Sequence, residues 1–137
     1  MMHRYFLIEP CYSNPDTFCN VIVGSGRVRA TIQIFIDESM LAEVAWALTA
    51  PNVSHEHPAP TDTDNTSFGL HISVIPPPTG DERRIVRFRI YQTMLDDGAP
   101  FTADIQFCVS AKEAAELAND LKAWLGRKED YPFEWCP

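Results

Sequence analysis

The chain lacks the positive charge that broad nucleic-acid binding needs. It carries 11 Lys and Arg against 19 Asp and Glu, a formal net charge of −8, where a nucleic-acid surface would present a basic footprint. That balance suits solubility and attraction to a basic partner. No two of the four cysteines, Cys11, Cys19, Cys108 and Cys136, form a CxxC pair, which removes zinc-knuckle and thioredoxin-type motifs from consideration. The opening MMHRYFLIEP has no apolar core of the ~7–15 residues that a secretory signal requires. No apolar run approaches the ~18 residues of a membrane span. The expectation is a cytoplasmic protein with reduced thiols and no membrane association. Catalytic signatures are missing too. HEHPA has the wrong spacing for HExxH, there is no GxSxG, and GSG at 24–26 is too short for a phosphate loop and is followed by no lysine. No internal repeat stands out, and no low-complexity segment beyond residues 51–67.

What is present reads as one α+β domain. A chain of 137 residues, 45% hydrophobic and 22% charged, has globular composition. At that length roughly 70% of the unfolded surface is buried on folding, enough for an ordinary core. HRYFLIE (3–9) reads as a strand ended by Pro10, with a turn at 11–16. TFCNVIV (17–23) is a second strand, and GSG after it permits a tight hairpin turn. In RVRATIQIFI (27–36), Val28, Ala30, Ile32, Ile34 and Ile36 alternate with Arg27, Arg29, Thr31, Gln33 and Phe35. This is the period of a strand with one buried face. The period then lengthens. Met40, Leu41, Val44, Ala45 and Leu48 form a helical stripe that stops near Pro51.

Three further strands follow at 67–75, 83–94 and 101–109, arranged as an antiparallel meander. SAKEAAELANDLKAWL (110–125) opens on a capping box, Ser110 and Glu113, in which each side chain satisfies a free backbone donor at the helix start. Gly126 is its expected stop. The tail, 126–137, holds Tyr131, Phe133 and Trp135, which are expected to fold back onto the body because three exposed large rings are disfavoured. The order β-β-β-α-β-β-β-α predicts a mainly antiparallel sheet of about six strands with two helices packed on one face. Residues 51–67 are expected to form a mobile loop.

Four groups of residues carry candidate chemistry. His55 and His57, with Asp62 and Asp64, are of metal-ligating type. They sit in a segment without core-forming residues, so a polar surface loop is the plainer reading. Arg27, Arg29, Arg87 and Arg89 fall on the polar faces of two strands, and His71, Ser73, Asp104 and Gln106 share that parity. If one sheet held all of them, arginines suited to bidentate recognition of carboxylate or phosphate would line a solvent face. The plainer alternative is cross-strand pairing with Asp104 and neighbouring acids. Cys108 has the same parity as His71 and invites a nucleophile–base pairing if the register allows it. An acidic interface would instead draw on Asp62, Asp64, Asp96 and Asp97. No cofactor is implied.

The succession ESMLAEVAWALTAP, FGLHISVIPP, RIVRFRIYQ and FTADIQFCVSAKEAAELANDLKAWL is similar to small bacterial α+β immunity-type proteins of polymorphic toxin systems. The similarity is one of pattern and size, covers roughly residues 17–125, and carries no site residue with it. It implies a short acidic cytoplasmic protein that binds and blocks one toxin domain. The expected function is therefore a non-enzymatic protein-binding module with a cognate protein partner. A small-molecule or metal-binding protein using loop 52–67 is the alternative. A homodimer formed by pairing the edge strand 3–9 with a second copy is a third.

Overall fold

A computed structural model describes residues 3–12, 18–35, 38–50, 68–76, 82–92, 101–126 and 132–137. The elements are β1 (Arg4–Tyr12), β2 (Phe18–Ser25), β3 (Val28–Phe35), α1 (Glu38–Thr49), β4 (Phe68–Ile75), β5 (Arg84–Gln92), β6 (Phe101–Val109), α2 (Ala111–Leu125) and β7 (Phe133–Trp135). The expected six strands and two helices are present in the expected order, and the fold is α+β. Gly26, at φ 62°, takes the left-handed conformation that closes the β2–β3 hairpin. β1 runs further than its sequence suggested. Pro10 stands opposite Cys19, and the register shifts between Pro10 and Tyr12, the kind of irregularity at which a strand tolerates proline.

The strands divide into two antiparallel sheets, β3-β2-β1-β7 and β4-β5-β6, rather than forming one. Alternation tells which face a strand buries; it does not tell which strands share a ladder. Each run of three consecutive strands pairs with its neighbours in sequence, and α1 separates the runs. The tail supplies the seventh strand. Phe133 and Trp135 fold back as expected and pair opposite Ile8 and Phe6, and both rings are buried. Tyr131 lies outside the described residues. Residues 3–9 are therefore not a free edge: Phe6–Ile8 have β2 on one side and β7 on the other.

The core lies between the two sheets and the helix pair and forms one cluster. α1 contributes Met40, Leu41, Val44, Ala45, Ala47 and Leu48; α2 contributes Ala114, Leu117, Ala118, Leu121 and Trp124. Trp46, by contrast, is 58% exposed. Aromatic rings join the layers. Phe6 of β1 meets Phe88 of β5 edge-on at 4.8 Å between centroids and Phe133 at 5.2 Å. Phe107 lies 5.2 Å from Phe88 and 5.7 Å from Trp135, and Trp124 of α2 closes on Phe133 at 6.1 Å. Two polar ties reinforce this packing. Arg4 of β1 donates to the Cys108 carbonyl at 2.7 Å and to Glu113 Oε2 at 2.6 Å. Arg84 of β5 donates to the carbonyl of Ala50, just past α1, at 3.2 Å, where the helix dipole favours a cation.

The two halves repeat one βββα unit, which the sequence alone did not disclose. The ladder row Phe6–Val23–Ala30 in the first sheet corresponds to Leu70–Ile90–Ala103 in the second, and Ile8–Val21–Ile32 corresponds to Ile72–Phe88–Ile105. Once these rows are matched, the sequences align without a gap from β3 through α1 and from β6 through α2. Ala30, Ile32, Gln33, Ala42, Glu43, Ala45 and Leu48 recur as Ala103, Ile105, Gln106, Ala115, Glu116, Ala118 and Leu121. The first two strands of each unit have diverged and their connections differ in length, which hides the repeat from a linear reading. Even so, one cross-strand device survives with its partners exchanged. Tyr5 lies opposite Gly24 and Tyr91 opposite Gly69, and in each pair the tyrosine ring occupies the space a Cβ on the glycine would need.

Trp135 seals β1 and touches the second sheet, so its truncation removes contacts from both. Trp135→Ala is expected to destabilise the fold by about 3–5 kcal/mol, read as a lowered urea midpoint. A loss below about 1 kcal/mol would show that β7 is not part of the cooperative core.

Candidate functional site

The outer face of the β4-β5-β6 sheet is the polar surface that the register assembles. Two ladder rows cross it side by side. One is His71–Arg89–Asp104 and the other Ser73–Arg87–Gln106. These residues lie on the sheet face opposite Leu70, Ile72, Val74, Val86, Phe88, Ile90, Ile105 and Phe107, which point into the core. Asp104 and Gln106 are exposed there, His71, Arg87 and Arg89 are half-buried, and Ser73 is buried. The middle strand carries both arginines. Arg89 Nε donates to Asp104 Oδ1 at 2.9 Å, with the carboxylate 40% exposed, so this pair contributes only about 0.2–1 kcal/mol to stability. Arg87 has no acid beside it in its row. Its Nε is buried and has no hydrogen-bond partner, and its row neighbours Ser73 and Gln106 are neutral. Tyr91 continues the middle strand and is buried, with its ring 4.8 Å from the His71 imidazole.

The same rows in the first unit are chemically different. His71–Arg89–Asp104 corresponds to Leu7–Ile22–Thr31, and Ser73–Arg87–Gln106 to Glu9–Asn20–Gln33. The shared scaffold requires no arginine at either position of its middle strand. Arginines on the middle strand are a property of the second unit alone.

The expected arginine set is accordingly split. Arg87 and Arg89 share the face with His71 and Asp104. Arg29 is exposed on β3 of the other sheet, opposite Gly24, and Arg27 lies in the preceding turn. The pairing of Cys108 with His71 is not realised. Cys108 stands in the row of Ile85, two same-face rows and two strands away from His71, which strand spacing converts to roughly 17 Å. His55, His57, Asp62, Asp64, Asp96 and Asp97 lie outside the described residues. Among the described residues no group of three or more His, Cys, Asp or Glu side chains converges as a metal site, and no helix is long and apolar enough to cross a membrane.

Sequence reading missed the Arg4–Glu113 tie, because nothing local links residues at opposite ends of the chain. Glu113 accepts from the Ser110 N–H at 2.9 Å while its own N–H donates to Ser110 Oγ at 3.1 Å, which completes the expected capping box. The backbone hydrogen bond from Ser110, together with the Arg4 guanidinium, holds the Glu113 carboxyl below its ordinary value; desolvation opposes them.

No family model matches the chain, and neither a curated protein nor a solved structure matches it.

A carboxyl whose pKa is depressed by folding contributes stability that is present above its unfolded value and lost as pH falls through the folded one. The Glu113 contribution is thus expected to be complete above pH 4.5 and to fade below it. Glu113→Gln retains an acceptor for the Ser110 N–H but has no charge to titrate. Urea midpoints measured across the acid range should fall less steeply in this variant than in the parent. Parallel acid limbs would show that Glu113 titrates alike in both states.

Proposed function

We propose that this protein is a non-enzymatic protein-binding module that acts in the cytoplasm as an immunity-type inhibitor of a cognate toxin, with the outer face of the β4-β5-β6 sheet as its contact surface. The observation that carries this reading is Arg87. Its guanidinium has only neutral side chains beside it in its row, so its terminal nitrogens retain donor capacity for a carboxylate on a partner, while its Nε is itself buried. Arg89 differs, since Asp104 already engages it. The contrast with the first unit supports the same reading, because these positions there are Asn20 and Ile22. The sheet presents them on regular strands, so a partner meets a face whose backbone is already ordered, which limits the entropy lost on binding.

The test is co-expression of the tagged chain with the product of the adjacent gene, followed by elution through a salt wash and rescue of growth. A stoichiometric complex with rescue is expected. Arg87→Ala should weaken that complex about 30-fold or more, the effect of truncating one partner of a buried charge pair, while circular dichroism shows the fold retained. Independent elution of the two chains would defeat the inhibitor reading, and a complex indifferent to Arg87→Ala would move the contact to another surface.

A further inference from the structure

We infer that β3 is a second interaction surface, and that it pairs antiparallel with β3 of a second copy of this chain about a two-fold axis through Ala30. The four sheet edges are not equivalent. β7 is three residues long. β4 is buried through Leu70, Ile72, Ser73 and Val74. β6 buries Ile105 and Phe107 and carries the exposed carboxylate of Asp104. β3 is eight residues long, continuous in register with β2, and contains neither proline nor acid. Natural edges of this length are normally shortened, bulged, charged or covered, because unpaired N–H and C=O groups recruit another strand.

Side-chain exposure on β3 points the same way. Val28 is 60% exposed, and Ala30 and Ile32 pack against the core while remaining half-buried. Ile105, the counterpart of Ile32 in the second unit, is 6% exposed. Among the described residues, the apolar inner face of the first sheet therefore continues to an edge that is exposed at Val28 and half-exposed at Ala30 and Ile32, although β3 also approaches β4. Solvent exposure is greatest over residues 28–33 and ends at Ile34.

A second copy fits this strand. In an antiparallel ladder opposite residues share a face, so the two-fold must pair residues of equal parity. Placed on Ala30, it sets Val28 opposite Ile32 of the second copy and Arg29 opposite Thr31 of the second copy. The half-exposed apolar residues then cover one another, and no like charges meet. The resulting sheet runs β7-β1-β2-β3 and continues through its copy in reverse order. It leaves the β4-β5-β6 face uninvolved, so the dimer and the partner contact proposed above are independent.

Sedimentation velocity on the full chain tests this, in buffer with enough salt to screen the net charge of −8. The mass should rise with concentration toward twice that of one chain. Thr31 is exposed, so substitutions there leave the core intact, and circular dichroism confirms the fold of each. Thr31→Glu places a carboxylate opposite Arg29 twice per dimer and should tighten association on the order of tenfold; Thr31→Arg sets like charges there and should weaken it similarly. A monomer at every concentration overturns the proposal. So does a dimer that neither variant alters, and a dimer weakened by Thr31→Glu overturns the placement of the axis.

Discussion

The fold depends on the contact between Phe6 and Phe88, because among the described residues no backbone ladder joins the two sheets and aromatic packing does so, with the Arg4 hydrogen bond to the Cys108 carbonyl beside it. The two rings meet edge-on, one from each sheet. Phe133, Phe107, Trp135 and Trp124 extend the contact to the tail strand and to α2. Each buried ring contributes about 1.5–3 kcal/mol through removal from water, and each favourable ring pair adds about 0.5–1.5 kcal/mol. Ladders within a sheet are set by local pairing. The relation between the sheets is set by these side chains, so the geometry of everything built on them follows from the aromatic cluster.

The repeated unit explains both the economy of the architecture and the location of its chemistry. Two βββα units with matching register present equivalent inner faces, Phe6–Val23–Ala30 against Leu70–Ile90–Ala103, and a common core accepts both because those positions are apolar in each. Their outer rows have no such obligation. The first unit carries Leu7 and Ile22 where the second carries His71 and Arg89. Arginines on the middle strand of one unit, where the other has Asn20 and Ile22, show that the scaffold is satisfied either way. The scaffold does not require arginine at these positions, and the proposed contact surface is placed there for that reason.

Much of the local structure was legible in the residues themselves. The alternation through Val28, Ala30, Ile32 and Ile34 identified β3 and its inward side, and the stripe of α1 was read nearly as it is buried. Ser110 and Glu113 announced the start of α2 through a hydrogen-bond geometry that depends on four consecutive residues only. The tail rings were expected to return to the body because their apolar surface leaves them no better place, and Phe133 and Trp135 do so. Less legible was the repeat. Its most similar stretch, β3 with α1 and β6 with α2, is short, and the strands that would extend it share position rather than residue type.

What the sequence by itself determined is the set of elements and the side each strand turns to the core, because periods of 2 and 3.6 are properties of consecutive residues. Tertiary structure decided which strands share a ladder. It separated Arg27 and Arg29 from Arg87 and Arg89, closed β1 with the tail, kept Cys108 away from His71, and joined Arg4 to Glu113 across the whole chain. Those outcomes rest on contacts between residues far apart in sequence, where the packing of rings and the registry of backbone donors and acceptors select one arrangement among many that the same local patterns allow.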